Sequence, residues 1–155
     1  MKLSHLDAEG RARMVDVGDK PVSDRQAIAT GAVRMSREAY DLVAGEGIPK
    51  GDVLTVAEVA GVMGAKRTGE LIPLCHPLGL DHVQVEARLD PELPGVQVTA
   101  AARVTGRTGV EMYALTAVAV ACLTVYDMVK AVDKGMVIQD LKLVSKAKRP
   151  AHGSS

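Results

Sequence analysis

Between Ala114 and Tyr126 the chain carries no charged residue, only Ala, Leu, Val, Thr, Cys and Tyr. A helix that is apolar all round must be buried all round. At ~1.5 Å per residue this run spans only ~20 Å, short of the ~30 Å bilayer core, so it reads as a core helix rather than a membrane span. Polar groups flank it: Glu111, Met112 and Tyr113 in front, Asp127 and Lys130 behind. The rest of the chain must cover this helix and bring partners to its ends.

A chain of 155 residues fits one domain. Lys plus Arg and Asp plus Glu number 19 each, so no net charge draws the protein to nucleic acid or anionic lipid. With no Trp or Phe and three Tyr, it has no aromatic platform for stacking bases. The N-terminal stretch lacks the apolar core of a signal peptide. Cys75 and Cys122 make no disulfide framework and suit two free thiols in a reducing cytosol.

In chain order, residues 1–24 are mixed and polar, with a short extended candidate at Met14–Val17. Residues 27–35 read as a strand, and Ser36 caps a helix closed by Gly45 or Gly47. Asp52 caps a second helix over 53–68, whose apolar residues follow the 3–4 spacing. Gly61 and Gly64 weaken that helix and suggest that another backbone packs closely there. Residues 71–78 are apolar yet braced by Pro73 and Pro77, which push Ile72 and His76 into extended geometry. Residues 82–89 and 96–104 alternate cleanly and form an antiparallel hairpin. Residues 136–144 read as a last strand, followed by a mobile basic tail. Dropping one helix leaves βαββαβ, so the expected fold class is α+β, ferredoxin-like, with an extra helix and an antiparallel sheet covered by helices. The expected organisation is a single domain over 1–146 with the tail over 147–155.

Asp127 and Lys130 lie one helical turn apart, the spacing of an ordinary exposed ion pair. At the rim of a buried helix the same two groups can also serve as an acid/base and a phosphate contact. His76 is either a hydrogen-bonded boundary residue or a side chain aimed by its prolines. Cys75 and His76 as neighbours lack metal-ligand spacing. Lys50, Lys66 and Arg67 can meet phosphates or simply be solvated ends of helix and turn. Met112 and Asp127 are separated by ~22 Å along one helix. If both helix ends are functional, they meet across a subunit interface.

The blocks AKRTGELIPLCHPL (65–78), GVEMYALTAVAVACLTVYDMVKAV (109–132) and KGMVI (134–138) closely resemble the cyclic pyranopterin monophosphate synthase family, the C protein of molybdenum-cofactor biosynthesis. MVDV (14–17) and KGDV (50–53) fit the same family, and the resemblance covers roughly residues 3–146. It implies a ferredoxin-like fold assembled as a hexamer, a trimer of dimers with interfacial active sites, in the cytoplasm. It also implies conversion of 3′,8-cyclo-7,8-dihydroguanosine 5′-triphosphate to cyclic pyranopterin monophosphate with release of pyrophosphate. Carried over by motif, Asp127 is the general acid/base, Lys130 its charge-stabilising neighbour and Lys50 a catalytic cation. Lys66 is a weaker phosphate contact. Leu74, Cys75, His76, Glu111, Met112 and Tyr113 are substrate-binding, with Glu111 set against a guanidine-like edge. The sequence requires no metal or cofactor, and Mg2+ can come in through the substrate triphosphate.

Two positions depart from the family. The family reads GVEMEAL where this chain has Tyr113, and a neutral phenol is a poor base. A non-catalytic homologue that binds the same ligand or a pathway partner is therefore the alternative, and Tyr113→Glu is expected to raise activity. The family continues KSGGK after the last strand, whereas this chain has Lys146-Ala147-Lys148-Arg149-Pro150, which cannot form a glycine-dependent loop in the same way.

Overall fold

Alternation of apolar with polar residues builds the sheet, and a 3–4 spacing builds the helices that cover it. The computed structural model describes residues 8–151. Its strands are β1 (Ser23–Arg34), β2 (His82–Asp90), β3 (Gly95–Gly106) and β4 (Val137–Pro150). Its helices are α1 (Arg37–Ala44), α2 (Val53–Lys66), α3 (Thr68–Leu71) and α4 (Glu111–Val129). The sheet order is β2-β3-β1-β4, with every neighbouring pair antiparallel. This is the ferredoxin-like α+β arrangement, with α1, α2 and α3 in its first crossover and α4 in its second.

Along β3, Val96, Val98, Ala100, Ala102 and Val104 are buried, and Ala27, Ala29 and Val33 of β1 join them. Register pairs Ala27 with Ala102, Ala29 with Ala100 and Val33 with Val96, so these small side chains form one floor. Paired residues of an antiparallel ladder share a face. On this floor lies α4, whose Ala114, Ala117, Val118, Ala121, Val125 and Val129 are buried at helical spacing. Each large aliphatic side chain so buried contributes roughly 1.5–3 kcal/mol. Though α4 is long and apolar enough to cross a membrane by length and composition, it is used here as the core helix.

The opposite side of α4 is less covered than its composition demands: Leu123 is 58 % exposed, and Val59 of α2 is 56 % exposed. Within one protomer the helix is thus not buried all round.

The capping residues act as the sequence predicts. Ser36 Oγ accepts from the Ala39 amide at 3.1 Å, and Asp52 accepts from the Thr55 amide at 3.3 Å. The left-handed residue after α1 is Glu46 (φ 58°), with Gly45 as the cap itself. Gly61 and Gly64 do admit a close neighbour. A Cβ on Gly61 would lie 3.0 Å from the Ala117 carbonyl, and one on Gly64 would lie 2.9 Å from Val120 Cβ.

Several boundaries differ from expectation, and β1 begins at Ser23 rather than Ala27. Met14–Val17 forms no strand. The second helix stops at Lys66, and Thr68–Leu71 turns separately as α3. The last strand runs to Pro150, because Ser23 to Ala27 of β1 offer partners to Lys146 through Pro150. The first part of the expected mobile tail is therefore strand, and no glycine-dependent loop occurs there. The last residues of that tail, 152–155, lie outside the described residues.

Candidate active site

The expected residues gather in two clusters, one at each end of α4. At its C-terminal end, Asp127 Oδ1 lies 2.9 Å from Lys130 Nζ and Oδ2 lies 3.0 Å from Lys50 Nζ. Lys50 Nζ also donates to the Asp127 carbonyl at 3.2 Å. The i,i+3 spacing on α4 brings Lys130 to the carboxylate. The turn before α2 brings Lys50 across 77 residues of sequence. All three side chains are about half exposed. Lys130 first, then Lys50, holds the Asp127 carboxyl below its ordinary 3.8, while Asp127 raises the Lys130 ammonium above 10.5. At neutral pH this is one carboxylate between two cations, able to accept a proton and to attract a polyanion.

At the N-terminal end, the His76 ring donates through Nε2 to the Val15 carbonyl. A carbonyl only accepts, so Nε2 carries a proton. Glu111 begins α4, where the helix dipole favours its charge. Its Oε1 lies 3.4 Å from Lys146 Nζ, whereas the buried Oε2 has no hydrogen-bond partner among the described residues. That oxygen is packed against Gly109, which has no Cβ to meet it. Leu74, Cys75 and Met112 are half-buried beside these groups. Burial pushes the Cys75 thiol up from 9.0, so it is no ready nucleophile.

Lys66 stands exposed at the end of α2, where it lines a cleft with Leu78, Asp81 and His82. It belongs to neither ion-pair cluster. Tyr113 does not face a ligand directly. Its side chain is 1 % exposed, and its hydroxyl is occupied by the backbone of the 76–78 segment. Lys146 is missing from the expected site set because the expected last strand ends at Val144. Its pairing opposite Ala27 puts it on the helix-covered side of β4, where it reaches Glu111. Nothing in the local sequence marks the Val15 carbonyl as the partner of His76. Asp127 stands 16 positions after Glu111 near the far end of the same helix, a span of ~24 Å, so one protomer keeps the clusters apart.

A family model described as the MoaC family matches residues 14–149, which includes both clusters. The chain is 60% identical over 144 residues to the cyclic pyranopterin monophosphate synthase of Cereibacter sphaeroides, covering 93% of this chain and 91% of that relative. It is 58% identical to the synthase of the same name from Dinoroseobacter shibae, again covering 93% and 91%. The likeness to that of Chloroflexus aggregans is 58% over 94% of this chain and 88% of the relative.

Proposed function

The chain belongs to the MoaC family, and on that premise we propose that it acts as a cyclic pyranopterin monophosphate synthase in molybdenum-cofactor biosynthesis. The observation that carries the reading to this chain is the intact Lys50–Asp127–Lys130 constellation. The substrate is 3′,8-cyclo-7,8-dihydroguanosine 5′-triphosphate. Its guanine-derived end lies against the Glu111 carboxylate, with Leu74, Cys75, His76 and Met112 around it. Its phosphates meet Lys50 and Lys130, with Lys66 a weaker contact outside that cluster.

Asp127, already ionised at neutral pH, takes a proton from the rearranging ring system and returns it later. Lys130 and Lys50 balance the charge that develops as this happens. A substrate hydroxyl then closes on the α-phosphorus, and the bond from that phosphorus to pyrophosphate breaks. Among the described residues no three His, Cys, Asp or Glu side chains gather as a metal-binding group. In this reading Mg2+ arrives as part of the substrate triphosphate rather than in a cage built by the protein.

The separation of the two clusters supports sites shared between subunits, and the uncovered Leu123 and Val59 support an apolar contact between copies. The assembly proposed is a hexamer, a trimer of dimers, working in the cytoplasm with both thiols reduced. The non-catalytic alternative is not favoured, because the catalytic constellation is complete and Tyr113 stands outside it.

Chromatography of the pterin product, with a pyrophosphate assay, tests the reading. Purified protein is expected to convert the cyclic triphosphate, and Asp127→Asn to lose about 10²-fold or more in turnover while assembling normally. Full activity in that variant would remove Asp127 from the mechanism. No turnover by the wild-type protein would remove the synthase.

A further inference from the structure

Residues 72–80 form little regular structure of their own. Pro73 and Pro77 have no N–H to give, and the Cys75 amide bonding to the Ile72 carbonyl is the backbone bond within the stretch among the described residues. The His76 carbonyl accepts weakly from the Cys75 thiol at 3.6 Å, but its short bond and that of the Leu78 amide, on either side of Pro77, both run to one oxygen. Tyr113 donates its hydroxyl proton to His76 O at 2.7 Å and accepts from Leu78 N at 2.8 Å. The ring behind that hydroxyl is fully packed in the core. Gly69 lies against the same junction: a Cβ there would be 3.4 Å from both the Tyr113 oxygen and Pro77 Cα.

We propose that Tyr113 is a positioning residue, a rivet that holds the His76–Leu78 backbone so that His76 and its neighbours keep a fixed orientation toward the ligand. This rests on the synthase reading for the identity of that ligand. The chemistry needs a group that donates and accepts at once, which a hydroxyl does. A glutamate at 113 is too short to put an oxygen where the phenol oxygen stands, so it would leave the junction open, and its charge would be buried without a cation. The expectation that Tyr113→Glu raises activity therefore reverses. Tyr113 does not replace the proton-transfer capacity of the family glutamate; it closes a backbone junction.

Tyr113→Phe keeps the ring and removes the oxygen. Amide hydrogen exchange of the whole protein and steady-state kinetics with the cyclic triphosphate read its effect. Loss of one hydrogen bond of ordinary strength corresponds to about tenfold. Leu78 exchange is expected to quicken by about that factor while the amides of α4 stay as slow as before. KM is expected to rise about tenfold, with kcat within about twofold, and Tyr113→Glu to be worse in kcat/KM than Tyr113→Phe. Unchanged Leu78 exchange, or exchange accelerated equally throughout the protein, overturns the rivet. So does faster Leu78 exchange with an unchanged KM, or a gain in kcat/KM with glutamate. If the wild-type protein turns over none of this substrate, the synthase reading fails on its own account, and the local exchange at Leu78 alone decides the rivet.

Discussion

At the scale of single residues, the local spacing carried Asp127 and Lys130 but not their third partner. An i,i+3 pair can be read from a helix, whereas Lys50 reaches the carboxylate only because α2 and α4 cross. The two cations have a measurable consequence. They hold the folded-state carboxyl below 3.8, so its contribution to stability is present above that value and is lost as pH falls through the depressed folded value. Lys130→Met removes the larger influence and lets the carboxyl rise back toward 3.8. A carbon-detected NMR titration of Asp127 is expected to show that upward move. The stability difference between wild type and variant should stay constant at neutral pH and shrink below pH 3.8. An Asp127 titration that ignores the substitution would mean that the ion pair is not maintained in solution. Tyr113 shows the opposite limit of legibility. Its identity was plain, but the partners of its hydroxyl, the backbone of His76 and Leu78 and the Cys75 thiol, lie more than thirty residues away on a stretch with no periodicity.

At the scale of elements, periodicity and caps placed α1, the start of α2, β2, β3 and α4 within a few residues. The errors fall where pairing with a distant partner decides the length. β1 and β4 lengthen each other, and no local property of Lys146 through Pro150 marks them as strand. The small residues of α2 were legible as a request for close packing, and α4 is what fills the space. That contact can be tested by overpacking it. A methyl on Gly64 collides with Val120, which costs about 1–3 kcal/mol, against a gain of roughly 1 kcal/mol in helix propensity. Gly64→Ala is therefore expected to lower the denaturation free energy by up to about 2 kcal/mol. In the double variant Gly64→Ala/Val120→Ala the collision is relieved, and the effects should be non-additive in the favourable sense. Strict additivity in urea titrations would place the two helices farther apart than they stand here.

At the scale of the whole molecule, the same helix that organises the core also separates the functional groups. Its ~24 Å span between Glu111 and Asp127 is a consequence of using one continuous α4 to cover four strands. A single ligand can use both ends if another copy brings its opposite end alongside, which a two-fold axis does twice at once. The uncovered Leu123 and Val59 lie on the two helices that such an approach would bury. Subunit mixing tests this arrangement. Glu111→Gln and Asp127→Asn proteins should each be nearly inactive alone, since each damages one half of every site. After exchange of subunits, half of the dimers are mixed and each mixed dimer regains one intact site, so about a quarter of wild-type activity should return. Mass spectrometry of the mixture establishes that exchange has taken place. Mixed dimers without recovered turnover would mean that each protomer holds a complete site. The ligand would then have to use one end of α4, and the residues at the other end would need a different explanation.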